Sequence, residues 1–198
     1  MRDNVTGLAR TTNHLWVGTA GQGLIQWNLT NGDFEWHTSQ DNLGSNYVTS
    51  LAVDEHDYIW VGTSWSGASR FNGSSWDSFN VSNSGLPNNN VEVIEVGPNG
   101  NVWFGTSGSG LARFDGNAWT TYTSENSDLP EGTVVAIAFE GNDVWVGVQP
   151  KGWGTDWAAD TGGVARLHSG SWTTYISANS SLRSNFVWTI AVDDTGNK

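Results

Sequence analysis

Residues 88–122 read NNNVEVIEVGPNGNVWFGTSGSGLARFDGNAWTTY, and this stretch decides the fold. It contains four short segments of strand-forming residues, separated by the turn sequences GPNG, SGSG and DGN. Short segments of this kind with turn signals between them predict four antiparallel strands. The second segment, Val102–Thr106, is continuously apolar, which is typical of a strand covered on both faces. The fourth segment is the most polar, as an outer edge strand should be.

The same plan recurs along the whole chain. The apolar segment returns as LWVGT, IWVGT, VWFGT and VWVGV, with its tryptophans at positions 16, 60, 103 and 145. A valine opens each unit at positions 5, 48, 91, 134 and 187, and a leucine lies near the end of each unit at 43, 86, 129 and 182. The three markers agree on a period near 43 residues, with one longer step of 53 in the valine and leucine series. A four-stranded unit of this size is one blade of a β-propeller.

We therefore predict an all-β chain, a β-propeller of four-stranded antiparallel blades, over residues 1–198. The units span about 4–45, 46–87, 88–130 and 131–183, with a partial unit at 184–198. The sequence contains five predicted first strands, but only four of them are followed by a second, third and fourth strand. Our interpretation is four complete blades plus the first strand of a fifth, as part of a larger ring. The alternatives are a closed four-bladed ring with one redundant strand, or closure through a second chain.

The repeat has a family resemblance. The pattern N-x-V-x-x-I-x-x-D-x-x-G-x-x-W-V-G-T, followed by G-L-x-R-F-D-G-x-x-W-T-x-Y, resembles the two-component regulator propeller repeat of bacterial sensor and secreted proteins. Residues 88–122 carry nearly all of this pattern, and streptogramin lyase propellers look like more distant relatives. The resemblance implies a propeller of usually seven blades that works as a ligand-sensing or binding platform. Function must still be argued from the loops, because one propeller architecture hosts many activities.

Composition excludes several classes of function. The chain has 20 acidic and 8 basic residues and a net charge of -12, which argues against nucleic-acid binding. It has no run of about 18 apolar residues, so we expect no membrane insertion. The absence of cysteine excludes disulfides, thiolate metal sites and a cysteine nucleophile. Residues 1–10 lack the apolar core of a signal peptide, so any export signal has been removed or never belonged to this segment. The extracellular or periplasmic location that we expect follows from the family resemblance.

No constellation for catalysis stands out. The histidines at positions 14, 37, 56 and 168 occupy non-equivalent places in different units, without metal-ligand spacing. The acidic residues around His56 fall in a hairpin, where Asp mostly bonds its own backbone. We therefore predict no catalytic residue, no metal site and no cofactor. Arginines repeat at positions 70, 113 and 166, and we expect them to pair with a carboxylate near the end of a first strand, at positions 54, 140 and 193.

The 13 tryptophans divide into groups. Those of the second strand, and a second set at positions 36, 76, 119 and 172 in the fourth strand, are predicted to fill the core between blades. Trp27 stands where other units have Phe or Leu, so we expect it to pack as well.

The loop between the second and third strands is different. In the fourth unit it is 11 residues longer than in the others, and residues 149–163 contain two tryptophans among polar groups. Trp65 lies in the equivalent loop of the second unit. Exposed aromatic rings with polar neighbours suit sugar rings or a peptide. The candidate ligand-binding residues are Trp65, Lys151, Trp153, Asp156, Trp157 and Asp160. The alternative is that these tryptophans fold back over a neighbouring blade.

Three functional hypotheses follow. The first is a noncatalytic binding or sensory propeller that recognises a glycan or other extracellular ligand through its loop face. The second is a structural or protein-interaction module of a larger assembly. The third is a lyase of the streptogramin lyase type, which needs a histidine and a carboxylate converging near the axis. The expected partners are a glycan, peptide or protein ligand, and further blades from the rest of the chain or another subunit.

Overall fold

A computed structural model of the chain describes residues 4–108, 110–150 and 161–193. These residues form sixteen β-strands and one 3₁₀ turn at Ser39–Asp41. The strands make four antiparallel sheets of four consecutive strands each, which confirms the predicted blades. Among the described residues, no helix is long and apolar enough to cross a membrane.

The strand bounds are as follows. Blade 1 consists of β1 (Val5–Arg10), β2 (His14–Thr19), β3 (Leu24–Asn28) and β4 (Phe34–His37). Blade 2 consists of β5 (Val48–Val53), β6 (Ile59–Thr63), β7 (Gly67–Phe71) and β8 (Trp76–Phe79). Blade 3 consists of β9 (Val91–Val96), β10 (Val102–Thr106), β11 (Gly110–Phe114) and β12 (Trp119–Tyr122). Blade 4 consists of β13 (Thr133–Glu140), β14 (Asp143–Gln149), β15 (Gly163–His168) and β16 (Ser171–Tyr175).

The first strands form the inner layer of the molecule. β1, β5, β9 and β13 pack against one another in turn, while each fourth strand is an outer edge. Each first strand carries a β-bulge directly after its opening valine. The bulge helps to join the blades, because Thr49 donates a hydrogen bond to the carbonyl of Val91 and the Ser50 hydroxyl accepts one from the Ile94 N–H at 2.9 Å.

The glycine of the repeated Trp-Val-Gly-Thr segment has a packing role. It lies under the opening valine of the next blade, and a Cβ on Gly62 would meet the Val91 side chain at 3.0 Å. On Gly18 and Gly105 the corresponding distances are 2.6 and 2.5 Å. Glycine therefore lets the inner strands of neighbouring blades approach each other. This contact explains why the valine and glycine markers recur with the same period.

Apolar clusters fill the three spaces between blades. Trp16, Trp60 and Trp103 on the second strands belong to these clusters and are almost fully buried, as expected. Trp76, Trp119 and Trp172 on the fourth strands pack against the clusters but remain partly exposed. We call the side of each blade that faces the next blade its front face, and the opposite side its back face.

The first blade corrects part of the tryptophan prediction. Trp76 pairs with Phe71 in blade 2, and the residue that pairs with Trp27 in blade 1 is Phe34, not Trp36. The hairpin between the third and fourth strands is two residues longer in blade 1 than in blade 2. The sequence prediction therefore gave Trp36 the position that Phe34 occupies. Trp27 and Trp36 are 47% and 41% exposed, because they lie on the back face of blade 1, which no other described blade covers.

The two ends of the blade series are unlike. Val5 on the back of blade 1 is 59% exposed, whereas the equivalent valines of blades 2 to 4 are buried. Blade 4 therefore does not close onto blade 1 in this structure. At the other end, residues 184–193 lie in the place of a fifth first strand, with Val187 against Gly147 of blade 4. No described strand pairs with this segment, so it is not part of a sheet among the described residues.

Candidate functional site

Loops of two kinds gather at one end of the blades. They are the loops from second to third strands and the links from each fourth strand to the next blade; we call this end the connection face. Trp65, one of the predicted binding residues, belongs to it. Lys151, Trp153, Asp156, Trp157 and Asp160 lie outside the described residues. Trp65 is thus the predicted site residue whose surroundings can be described.

Trp65 occupies a position that blades 1 and 3 give to glycine. Its φ is +70°, in the left-handed region, and the equivalent Gly21 and Gly108 also have positive φ. A side chain with a Cβ pays on the order of 1–2 kcal/mol to adopt this conformation. The Trp65 N–H donates to Asn90 Oδ1 at 2.7 Å, which fixes the loop to the next blade. The strained backbone therefore presents an indole that is 66% exposed.

Tyr47 stands beside this indole. The two rings meet edge to face, with 5.5 Å between their centres and an angle of 72° between their planes. Tyr47 is 49% exposed, and its backbone is held by a β-bridge to Ala20 and by a hydrogen bond from the Ser64 N–H at 3.0 Å. We call Tyr47 and Trp65 the aromatic pair. It spans the junction of blades 1 and 2 on the connection face.

Sequence reasoning missed Tyr47, although a signal was present. The residue before the opening valine is Asn90 in blade 3 and Thr133 in blade 4, so an aromatic residue there departs from the repeat. The fifth unit shows the same departure with Phe186, whose ring lies 5.1 Å from that of Trp188. Trp188 is 74% exposed.

Two of the repeated arginines, Arg70 and Arg166, form ion pairs, but their carboxylate partners differ from those predicted. Arg70 binds Asp77 on the neighbouring fourth strand, with Nη2 2.6 Å from Oδ2, and its guanidinium carbon lies 5.3 Å from the centre of the Trp60 ring. Arg166 binds Asp143 and lies over Trp145 in the same way. The carboxylates predicted for this pairing bind elsewhere: Asp54 accepts from the Trp60 indole N–H and Glu140 from that of Trp145. The carboxylate at the end of the first strand therefore accepts a hydrogen bond from the nearby indole N–H instead of pairing with the arginine.

The acidic and histidine residues of the turns serve the backbone or the blade stacks. Asp54 accepts hydrogen bonds from the N–H groups of His56 and Tyr58, as predicted for a hairpin aspartate. Burial alone would raise the pKa of Asp143, but hydrogen bonds and charge from Arg166 and His168 hold it below its usual value. Within the described ranges, no three His, Asp or Glu side chains are grouped as metal ligands would be.

His37 replaces an aromatic residue in one stack. In blades 2, 3 and 4 the second-strand tryptophan stacks on a phenylalanine or tyrosine of the fourth strand, at 5.4 to 5.9 Å between ring centres. In blade 1 the partner of Trp16 is His37, at 5.6 Å, and its Nε2 lies 2.9 Å from Gln26 Oε1. Burial lowers the pKa of His37 below 6.5, against the opposing effect of the nearby Glu35 and Asp41 carboxylates.

Comparison with known proteins gives the same architecture. The chain resembles the extracellular domain of the putative hybrid two component system BT3049 from B. thetaiotaomicron, with 20% identity, a TM-score of 0.79, and coverage of 98% of this chain and 26% of that one. It also resembles the extracellular domain of the putative one component system BT4673 from the same organism, with 21% identity, a TM-score of 0.73, and coverage of 98% and 25%. The chain thus spans about a quarter of the length of these two proteins.

A gluconolactonase from Xanthomonas campestris is a further structural neighbour, with 14% identity, a TM-score of 0.57, and coverage of 92% of this chain and 64% of that one. Identities this low establish a shared fold alone. No curated protein matches the sequence.

The family comparison is more specific than the structural one. The family model described as "Two component regulator propeller" matches residues 42–65 and 85–108. Each match runs from the end of one blade through the first two strands of the next, so each contains the opening valine and the Trp-Val-Gly-Thr or Trp-Phe-Gly-Thr segment. These two segments of the chain are therefore similar to two-component regulator propeller repeats.

Proposed function

We propose that this chain is part of a noncatalytic sensory propeller that binds a neutral glycan outside the cytoplasm, through the aromatic pair on the connection face. The observation that carries the proposal is Trp65 in a left-handed conformation that blades 1 and 3 give to glycine. Strained backbone that displays an exposed bulky side chain is common at ligand sites, where the cost is offset by function.

The chemistry of the aromatic pair fits a sugar ring. The C–H face of a pyranose packs on flat aromatic surfaces, and two rings at a large angle offer two walls instead of one. Both rings keep about half of their surface or more exposed. The net charge of -12 favours neutral ligands, because an acidic surface repels polyanionic chains.

The location of the protein is part of the proposal. The two structural neighbours from B. thetaiotaomicron are extracellular domains of regulatory systems, and a glycan sensor needs the same placement. Trp153 and Trp157, with Lys151, Asp156 and Asp160, extend the site in the proposal, since in the sequence they join β14 to β15, whose described ends Gln149 and Gly163 lie at the connection face.

The test is a calorimetric titration of the chain with neutral oligosaccharides: cello-, xylo- and mannohexaose. We expect saturable binding of at least one of them. Trp65→Gly should weaken it at least about tenfold, because a central aromatic anchor contributes 2 kcal/mol or more. Trp27→Phe is the matched control, since it changes an exposed tryptophan of blade 1 to the residue found in blades 2 and 3. This control should bind like the parent.

Two outcomes would overturn the proposal. If no oligosaccharide binds, or if Trp65→Gly binds as well as the parent, the aromatic pair is not a glycan site and the scaffold hypothesis is preferred. The double variant Trp153→Ala, Trp157→Ala tests the extended site separately. The noncatalytic part of the proposal is tested by incubation with gluconolactone and with each bound oligosaccharide; turnover above the buffer rate contradicts it.

A further inference from the structure

Blade 3 lacks the acceptor that the other blades give to the indole of the second-strand tryptophan. Trp16 donates to Thr11 Oγ1, Trp60 to Asp54 Oδ2 and Trp145 to Glu140 Oε2, at 3.3, 2.9 and 3.0 Å. The residue at the equivalent position of blade 3 is Gly97, which has no side chain to accept a hydrogen bond. Among the residues that the structure describes, none accepts a hydrogen bond from the Trp103 indole.

Blade 3 also lacks a carboxylate for its arginine. The position of Asp77, which binds Arg70, is taken by Thr120. Arg113 donates from Nη2 to the Thr120 hydroxyl at 3.2 Å, while its Nε is fully buried with no acceptor among the described residues. A buried donor of a charged group without a partner costs about 1–3 kcal/mol or more, so this arrangement is unfavourable.

The missing carboxylates are not replaced by packing. A cavity of about 460 Å³ lies between blades 3 and 4, and both Trp103 and Arg113 line it. Tyr122, Asn99, Asn142 and His168 contribute to its walls. The cavity therefore offers a cation, amide groups and aromatic rings around a space large enough for a small molecule.

The other charged groups at this cavity already have hydrogen-bond partners. Asp143 also lines it, but Arg166 and His168 bind both of its oxygens. The nearby Asp115 carboxylate accepts from the N–H groups of Asn117 and Ala118 in its own hairpin. Arg113 thus lines the cavity without a hydrogen bond to any carboxylate of the described residues.

We propose that this cavity binds a small carboxylate, such as a hydroxy acid or a uronic acid, with Arg113 and the Trp103 indole as the donors. The ligand supplies to blade 3 the acceptors that blades 2 and 4 carry in their own sequence. Guanidinium groups bind carboxylates through two parallel hydrogen bonds, which gives both affinity and orientation. This site lies between blades 3 and 4, apart from the aromatic pair, and does not depend on the proposed glycan binding.

The test is a calorimetric titration with lactate and glucuronate, and with glucose as the neutral counterpart of glucuronate. We expect saturable binding of at least one acid and none of glucose. The indole N–H resonance of Trp103, identified by its loss in Trp103→Phe, should shift during the titration. Because 13 tryptophans obscure fluorescence, this resonance is the more direct signal.

Two variants make the test specific. Thr120→Asp gives Arg113 the carboxylate that Asp77 gives Arg70, so it should stabilise the free protein and weaken acid binding at least about tenfold. Thr173→Asp is its matched control, because Thr173 pairs with Arg166 at the equivalent place in blade 4 and Arg166 already has Asp143. This control should bind the acids like the parent.

Arg113→Gln should also abolish binding of the acids. If this variant does not fold, the acid affinity of Thr120→Asp tests the proposal instead. The proposal is overturned if neither acid binds at millimolar concentration, if glucose binds as well as glucuronate, or if Thr120→Asp binds the acids with unchanged affinity. Retained binding of neutral oligosaccharides in Thr120→Asp would show that the aromatic pair is a separate site.

Discussion

Val134 lies so close to Gly105 that a Cβ on the glycine would come within 2.5 Å of the valine Cγ1. The two residues belong to neighbouring blades, and the same contact recurs between the other blades. It sets how closely the inner strands of adjacent blades approach. The period of the sequence and the spacing of the blades therefore have one physical origin.

The first prediction concerns this contact. Gly105→Ala should destabilise the chain by about 1–3 kcal/mol, because overpacking forces the next blade away. Gly7→Ala is the control, since its Cβ would meet the nearest atoms at an ordinary 3.7 Å. The control should change stability by less than about 1 kcal/mol. Urea unfolding measures both, and equal effects of the two substitutions contradict the packing role of Gly105.

The blade architecture could be predicted from sequence because each blade repeats the same contacts. Opening valines, core glycines and second-strand tryptophans each contribute to every junction, so their period survives in the chain. The register of Trp36 could not be predicted, since a hairpin two residues longer shifts the fourth strand and the spacing alone does not show where residues were added. The structure places Phe34 there instead.

The candidate site was only partly predictable. Trp65 can be singled out from the sequence because it is a tryptophan outside the repeated positions, in the loop between the second and third strands of blade 2. Its positive φ and its contact with Tyr47 depend on how the loops of neighbouring blades pack, and no pattern in the sequence predicts that packing. The predicted partners of the arginines were wrong for a similar reason. An indole N–H and a guanidinium group can both donate to the carboxylate at the end of the first strand, and in the folded sheet the indole N–H is the donor.

A second prediction separates function from stability at Trp65. Trp65→Gly should raise the free energy of unfolding by about 0.5–2 kcal/mol, because glycine adopts positive φ without strain, although part of the gain is offset by the greater entropy of the unfolded chain. Trp65→Ala keeps the strained Cβ and should not show this gain. The comparison is made by urea unfolding. A glycine variant no more stable than the alanine variant would mean that the left-handed conformation costs nothing.

A third prediction concerns pH. The lowered pKa of His37 means that the folded protein resists protonation there, while the unfolded chain takes up a proton below its ordinary pKa of 6.5. Stability should therefore fall as pH decreases from 7.5 to 5.5, by at most about 1.4 kcal/mol per pH unit from this residue. His37→Phe, which copies Phe79 of blade 2, should lessen the fall.

The control for the pH prediction is His56→Phe, because the His56 side chain is 66% exposed. Unfolding free energies at pH 7.5, 6.5 and 5.5 are compared among the parent and the two variants, so that titration of the carboxylates cancels in the differences. The prediction is wrong if His37→Phe keeps the full pH dependence of the parent, or if His56→Phe removes as much of it.

The last prediction uses the unlike ends of the blade series. Val91 is fully buried between blades 2 and 3, whereas the equivalent Val5 is 59% exposed on the back of blade 1. Val91→Ala removes two buried methyl groups and should cost about 2 kcal/mol, including the cavity that remains. Val5→Ala should cost less than about 0.5 kcal/mol, because a surface position loses little on truncation. Urea unfolding at two protein concentrations measures both costs. A large effect of Val5→Ala that grows with protein concentration would show that another copy covers the back of blade 1, since association adds burial that the single chain does not provide.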